Sequence, residues 1–104
     1  MSTRAHIKIM ENGYTIMLYR HHDGYPEATG IDIIDAIKKV GYGDPEYLAA
    51  ELVRINPGDK SPTFVPAFCK HGDESYDWFI DCNNEVVTYD VGGVSHVYYD
   101  KRSK

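Results

Sequence analysis

The segment that decides the fold is residues 5–19, whose sequence is AHIKIMENGYTIMLY. Every second residue from Ala5 to Ile9 is apolar, and this period of two is typical of a β-strand. The pair Asn12-Gly13 follows, which favours a type I′ turn because both central residues of that turn need positive φ. We therefore predict a β-hairpin over residues 5–19.

A two-residue turn fixes which residues of the hairpin face one another. One face should carry the apolar pairs Ile9 with Ile16 and Ile7 with Leu18, and then Ala5 with Arg20. The other face should carry a polar group made of the pairs His6 with Tyr19 and Arg4 with His21. A slip of one residue would exchange the two faces, so this prediction depends on the Asn-Gly turn.

Two helices are predicted next. Thr29 is expected to cap the first helix with Asp32 in its first turn, and Gly41 to end it. Its apolar stripe is Ile33, Ile34, Ile37 and Val40. The second helix should begin at Asp44-Pro45-Glu46, with the aspartate as N-cap and the proline at the first helical position. Its buried stripe is Leu48, Leu52 and Ile55, and Asn56-Pro57-Gly58 should end it.

The C-terminal half is predicted to add four strands. Residues 63–69 read as an edge strand, because Pro66 cannot donate to a sheet ladder. A three-stranded meander follows over residues 76–99, with turns at Asn83-Asn84 and Gly92-Gly93. The order β-β-α-α-β-β-β-β predicts an α+β fold, in which two helices pack on one face of an antiparallel sheet. Residues 1–104 form one domain, with 101–104 as a frayed tail.

Composition narrows the functional classes. The chain has 104 residues, is 42% hydrophobic and carries a net charge of −5. This acidic balance disfavours direct binding to nucleic acid, because that affinity comes mainly from Lys and Arg contacts with phosphate. No apolar run approaches the ~20 residues that span a membrane, and Met1–Arg4 does not resemble a signal peptide. We therefore expect a cytoplasmic protein.

The two cysteines, Cys69 and Cys82, are too few for a disulfide framework or a zinc knuckle. We expect free thiols, and a bridge between them only if their strands are neighbours.

Three groups of residues could carry chemistry, although the common catalytic and phosphate-binding motifs are missing from the sequence. His21-His22-Asp23 could bind a metal, but adjacent strand residues point to opposite faces. We favour a turn there, and we assign no metal, cofactor or catalytic residue. The polar group Arg4, His6, Tyr19 and His21 could grip an anion, and its alternative is an ordinary solvated sheet face.

The third group is aromatic and consists of Tyr76, Trp78, Tyr89, His96 and Tyr98, predicted to share one sheet face. Aromatic residues at period two are more often core than a binding platform, so we expect core. In the same register Asp77 would face Asp90, which is unfavourable unless a cation lies between them. A slipped register is the simpler interpretation of that pair.

One region resembles a known group of proteins. Thr3-Arg4, the Ile7/Ile9 strand, Leu18-Tyr19-Arg20-His21 and Asp23-Gly24-Tyr25-Pro26-Glu27 resemble small uncharacterised proteins of phages and prophages with a Tyr-Arg-His-x-Asp-Gly-Tyr-Pro signature. The similarity covers residues 3–40, and His22 departs from it, since a large apolar or aromatic residue is usual there. The resemblance implies a phage-associated accessory protein. Such proteins often act by stoichiometric binding, including inhibition of host defence complexes or sequestration of nucleotide signals.

These observations favour a non-catalytic protein that binds a host protein or a small anionic ligand. The residues expected to form its site are Arg4, His6, Tyr19, Arg20, His21, Asp23 and Tyr25. One alternative is a small hydrolase or nuclease with His21 or His6 as general base and a metal held by Asp23. Another is a homo-oligomeric structural protein whose aromatic sheet face is the subunit interface.

Overall fold

A computed structural model of the chain describes residues 3–55, 64–67 and 75–100. In these ranges the chain forms one six-stranded sheet, a short π-helical turn and two α-helices. The elements are β1 (Ala5–Glu11), β2 (Tyr14–Arg20), the turn Pro26–Gly30, α1 (Ile31–Val40), α2 (Pro45–Arg54), β3 (Phe64–Pro66), β4 (Tyr76–Asp81), β5 (Val86–Val91) and β6 (Val94–Asp100). The predicted α+β class and the predicted order of elements are confirmed.

The strands lie in the order β3-β2-β1-β4-β5-β6. All neighbours are antiparallel except β1 and β4, which run parallel with Ile7 beside Trp78. The sheet is therefore mixed, with the hairpin and the meander joined through this one parallel pair. A parallel pair needs a long crossover connection, which here contains both helices.

The hairpin has the predicted register. Asn12 has φ 52° and Gly13 has φ 84°, as a two-residue turn of this hand requires. Ile9 faces Ile16, His6 faces Tyr19 and the other pairs follow in step as far as Ala5 with Arg20. The ladder ends there, so the predicted pair of Arg4 with His21 is not part of it. The turn is braced by Asn83 of the β4–β5 loop, which exchanges two hydrogen bonds with Asn12, at 2.7 and 3.0 Å.

The first helical segment differs from its prediction at the N-terminus. Helical structure begins at Pro26, as the π-helical turn, rather than after Thr29. Thr29 is buried and its hydroxyl donates to the Asp23 carbonyl oxygen at 2.7 Å. The N-cap position of α1 is held by Gly30, and no side chain caps the helix. The helix ends where predicted, at Gly41, which has φ 77°.

The second helix begins as predicted. Oδ1 of the N-cap Asp44 accepts from the backbone N–H groups of Glu46 and Tyr47, and Pro45 occupies the first turn. Its last helical residue is Arg54, and Asn56-Pro57-Gly58 lies outside the described residues. Neither helix in the described part of the chain has the length and apolar character needed to span a bilayer.

The core lies between the helices and one face of the sheet, which we call the helix face. Its completely buried members come from both helices and from five strands, and the largest are Trp78, Phe64, Ile7, Ile9, Leu18, Ile33, Leu48, Leu52 and Ile80. Side chains alternate along each strand, so the intervening residues point to the other side, which we call the open face.

The C-terminal meander has the predicted register over most of its length. Tyr89 stacks on His96 and contacts Trp78, with ring centroids 5.0 and 4.7 Å apart. Tyr76, Tyr89 and Tyr98 are partly buried against the core, in agreement with the core interpretation, whereas His96 is exposed. A bulge opposite Val87 and Thr88 interrupts the ladder between β5 and β6.

Asp77 does face Asp90, so the expectation of a slipped register is wrong. Asp90 also faces Ser95 on β6, whose hydroxyl donates a hydrogen bond to the Asp90 carboxylate at 2.5 Å. That contact offsets part of the cost of placing two carboxylates on neighbouring strands.

The structure describes both the strand that contains Pro66 and the thiol of Cys82. β3 is the edge strand of the described sheet and Pro66 is its exposed last residue. Cys82 is a buried free thiol, and burial raises its pKa to about 11. Cys69 lies outside the described residues, and so does the proposed bridge to it.

Candidate functional site

The predicted polar group lies on the open face, at the end of the hairpin opposite its turn. His6 and Tyr19 are cross-strand partners whose ring centroids are 5.4 Å apart. The Tyr19 hydroxyl lies 3.1 Å from Nδ1 of His21, within hydrogen-bond distance. His22 packs its ring edge-on against His21, with centroids 4.5 Å apart. An exposed imidazole pair beside a phenol therefore marks this corner of the sheet.

The four members of the polar group differ in exposure. His21 is exposed and Tyr19 is half-buried, but His6 has no exposed surface. Its burial departs from the expectation of four accessible side chains. The reason is strand order: β1 has β2 on one side and β4 on the other, where His6 lies beside Asp77. Arg4 is half-buried, and its carbonyl oxygen accepts from the backbone N–H groups of Ser75 and Tyr76.

Arg20 lies on the helix face, as its pairing with Ala5 requires. Its guanidinium bonds to Asp32 Oδ2 at 2.6 Å, lies 4.9 Å from the centre of the Phe64 ring and donates from Nε to the His22 carbonyl oxygen. The side chain is only 9% exposed. Arg20 therefore ties α1 to the backbone of the loop rather than facing solvent with His21.

Gly24 fixes the middle of the loop that follows β2. Its N–H donates to the Thr3 carbonyl oxygen at 2.8 Å, and its own carbonyl oxygen accepts from Nε1 of the buried Trp78 at 2.8 Å. A Cβ at this position would lie 2.7 Å from Ala5 Cβ, closer than carbon atoms approach. Only glycine lets the loop approach β1 this closely.

Asp23 and Tyr25 complete the loop and are bonded to each other. Asp23 has φ 61°, a left-handed conformation that aspartate tolerates better than most residues. The Tyr25 hydroxyl donates to Asp23 Oδ1 at 3.0 Å, and this hydrogen bond to a carboxylate raises the pKa of Tyr25. The chain bends at His21 and His22, which agrees with the turn interpretation. In the described ranges no three His, Cys, Asp or Glu side chains are arranged to hold a metal ion.

Three residues that support the site were not expected from the sequence, namely Trp78, Thr29 and Asp32. Each bonds a backbone or side-chain group of residues 20–24 from a different element. A signal existed for Asp32: the hairpin register places Arg20 among apolar residues, and a charge there needs a partner. The other two contacts join segments that are distant in the sequence and leave no local pattern.

In comparisons with known proteins, no family model, no curated protein and no solved structure matches this chain.

Proposed function

We propose that this protein is a non-catalytic binding protein that recognises an anionic group with the corner formed by Tyr19, His21, His22 and the loop to Tyr25. The single observation that carries the proposal is the way this exposed loop is held. Four hydrogen bonds fix the backbone of residues 22–24, and their partners are Arg20, Thr3, Trp78 and Thr29.

A connecting loop needs such partners for its buried backbone groups, such as those of Gly24, but here the exposed residues His22 and Asp23 are anchored as well. Binding sites gain affinity when the groups that contact the ligand are already ordered, because little conformational entropy is then lost on association. Here the ordered loop presents two imidazoles and a phenol to solvent. The anchoring therefore favours a recognition surface over a plain connection.

The chemistry of the exposed groups suits an anion. Both imidazoles donate hydrogen bonds when protonated, and phosphate and carboxylate oxygens accept them. Asp23, the acidic residue of the same loop, accepts the Tyr25 hydroxyl, which disperses part of its charge. A phosphate or carboxylate is therefore the chemical class that we assign to the ligand.

The geometry favours binding over hydrolysis. A general base must reach the proton that it removes, and His6 has no exposed surface. His21 is exposed, but its partner is a neutral phenol rather than a carboxylate that would orient it as a base. Asp23, the expected metal ligand of the hydrolase alternative, is bonded to Tyr25 instead.

The resemblance to phage accessory proteins gives the proposal its most concrete form. In that form the anionic group belongs to a nucleotide signal, or to a host defence complex that the protein inhibits by occupying it at a fixed ratio. Both versions require the same corner, and they differ in the size of the ligand.

The test is an NMR titration of the ¹⁵N-labelled protein with inorganic phosphate and with AMP. We expect saturable shifts at residues 19–25, and a weakening of at least fivefold in His21→Ala and Tyr19→Phe. His96→Ala is the matched control, because His96 is also an exposed sheet imidazole but lies on β6. Equal binding by all variants, or shifts spread over the surface, would refute the proposed site.

The same samples discriminate binding from catalysis. The hydrolase alternative predicts that AMP or a phosphodiester is consumed at enzyme amounts far below stoichiometric, with the rate abolished in His21→Ala. The binding proposal predicts a fixed ratio at saturation and a substrate that remains intact.

Self-association is a second candidate function, favoured by the asymmetry of the two sheet edges. β3 is only three residues long and ends in proline, whereas β6 has seven residues and exposes Val94, Val97 and Tyr99 by 55%, 67% and 42%. Within the described ranges no strand pairs with the outer side of β6. A long apolar edge of this kind is a template for another strand.

Light scattering after size exclusion tests this candidate. Self-association through β6 predicts a mass above 11.8 kDa that returns to the monomer value in Val97→Lys. A monomeric mass at all concentrations would refute self-association through β6.

A further inference from the structure

A second surface lies at the other end of the hairpin, on the helix face. It is a cleft of about 550 Å³ between the Asn12-Gly13 turn and the segment Gly43–Glu46 that leads into α2. Clefts of ~300–1,000 Å³ are the size that holds small ligands or anchoring side chains. The hairpin places this cleft about 20 Å from the anion-binding corner, since six strand steps of ~3.3 Å separate Ala5 from Glu11.

The lining of the cleft is partly apolar. Ile16 and Pro45, both half-buried, contribute carbon surface above the buried Ile9, and Tyr14 also lines the cleft. Tyr14 is 81% exposed, more than any other large hydrophobic residue in the described ranges. Tyrosine is enriched among the residues that dominate binding energy at protein interfaces, because it buries much area at a small entropic cost.

The charge of the cleft has one sign. Glu11, Asp44 and Glu46 line it, and among the described residues no lysine, arginine or histidine does. Asp44 Oδ1 accepts the hydrogen bonds that cap α2, one of them from the Glu46 backbone N–H, whereas no hydrogen bond or ion pair within the described residues engages the Glu46 carboxylate. An apolar floor with carboxylates around it attracts groups that combine hydrocarbon with positive charge.

The walls of the cleft are held in place from both sides. Asn12 is tied to Asn83 by two hydrogen bonds, and Asp44 fixes the first turn of α2 through two more. A partner would therefore meet an ordered surface rather than one that must form on binding.

From these observations we propose that the cleft docks a peptide segment of a partner protein, in which an apolar side chain is flanked by lysine or arginine. The apolar side chain would lie on Ile16 and Pro45 beside Tyr14. The flanking cations would face Glu11 and Glu46. The surface is separate from the anion-binding corner and takes a ligand of opposite charge.

The test uses the intact protein and the fluorescein-labelled peptide Lys-Arg-Leu-Lys-Arg, with Glu-Glu-Leu-Glu-Glu as the charge-reversed probe. We expect saturable anisotropy for the basic peptide alone, weakening severalfold as ionic strength rises from 50 to 300 mM. Tyr14→Ala should weaken binding at least fivefold. Glu46→Gln should weaken it about two- to fivefold.

Matched controls separate the cleft from the general acidity of the protein. Tyr47→Ala removes a tyrosine that is 68% exposed on α2 but does not line the cleft. Glu27→Gln removes an exposed carboxylate elsewhere. Both should bind as the unmodified protein does. Absence of saturation, equal binding of the two peptides, or equal losses in Tyr14→Ala and Tyr47→Ala would each overturn the proposal.

Discussion

Replacing Gly24 by alanine tests whether the loop after β2 is packed as tightly as the structure indicates. The added Cβ would lie 2.7 Å from Ala5 Cβ, 3.0 Å from the Thr3 carbonyl oxygen and 3.2 Å from the Arg4 carbonyl carbon. All three atoms belong to the start of the central strand or to the chain just before it, and Ala5 is completely buried. None of them is the far end of a flexible side chain, so the loop itself must move.

Two costs follow from that movement. Overpacking of this kind costs about 1–3 kcal/mol. Displacing the Gly24 carbonyl oxygen also leaves the buried Trp78 N–H without its acceptor, which costs about 1–3 kcal/mol. We expect Gly24→Ala to lower the free energy of unfolding by roughly 2–6 kcal/mol, and the Tm by about 4–8 °C for each kcal/mol in a domain of this size.

Urea and thermal unfolding measure this effect directly, because Trp78 is the only tryptophan and reports on the loop through its fluorescence. Gly43→Ala is the matched control: a Cβ there meets no atom within 4 Å, and Gly43 has no positive φ. It should be neutral or slightly stabilising. A Gly24→Ala variant within 0.5 kcal/mol of the unmodified protein would show that the loop does not rest on Ala5.

Two further predictions concern buried polar groups. The Tyr42 hydroxyl is buried without a hydrogen bond to the described residues, and burial raises the pKa of Tyr42 from 10.0 to about 12. Tyr42 therefore ionises at a lower pH in the unfolded chain than in the folded protein. Its contribution to the free energy of unfolding is complete below pH 10 and falls by roughly 2–3 kcal/mol as the pH rises to about 12. Urea unfolding between pH 10 and about pH 12 should show a smaller loss of unfolding free energy in Tyr42→Phe than in the unmodified protein. Equal losses in the two proteins would contradict this. Asp32→Asn leaves the Arg20 guanidinium without its anion and should cost about 1.5–3 kcal/mol. Arg54→Gln is its control and should change stability much less, because Arg54 is 68% exposed in its ion pair; equal losses would refute the buried role of Arg20.

The register of the hairpin from Ala5 to Arg20 could be predicted because its information is local. Asn12-Gly13 selects the turn, the turn selects the register, and the alternation then assigns each side chain to a face. The start of α2 is local in the same sense, since Asp44 and Pro45 act on the next turn of backbone. The end of α1 at Gly41 is likewise determined by the local sequence.

The strand order could not be predicted, because it depends on contacts between distant segments. Nothing near β1 or β4 indicates that they lie side by side in parallel, and the meander could equally have been placed against β2. The same nonlocality explains the error at Thr29. A threonine before a helix is usually a cap, but here its hydroxyl bonds the loop at Asp23 instead.

The sequence predicts that His6, Tyr19 and His21 lie near one another, but it does not predict how exposed they are. The register brought His6, Tyr19 and His21 to one end of one face, and the structure places them there. Burial of His6 follows from the neighbouring β4, and the inward turn of Arg20 follows from Asp32 on α1. The sequence therefore locates the corner, while the tertiary neighbours decide which of its groups a ligand can reach.

The position of β1 in the middle of the sheet also has a consequence for folding. The hairpin can close early, yet one side of β1 stays without its partner until β4 arrives, and the two loops joined by Asn12 and Asn83 are 71 positions apart. Such long-range pairing slows folding, because the connecting chain must be ordered before the contact is made. During synthesis on the ribosome, one edge of β1 therefore stays unpaired until most of the chain has emerged. In this interval the protein is most prone to aggregate or to bind a chaperone.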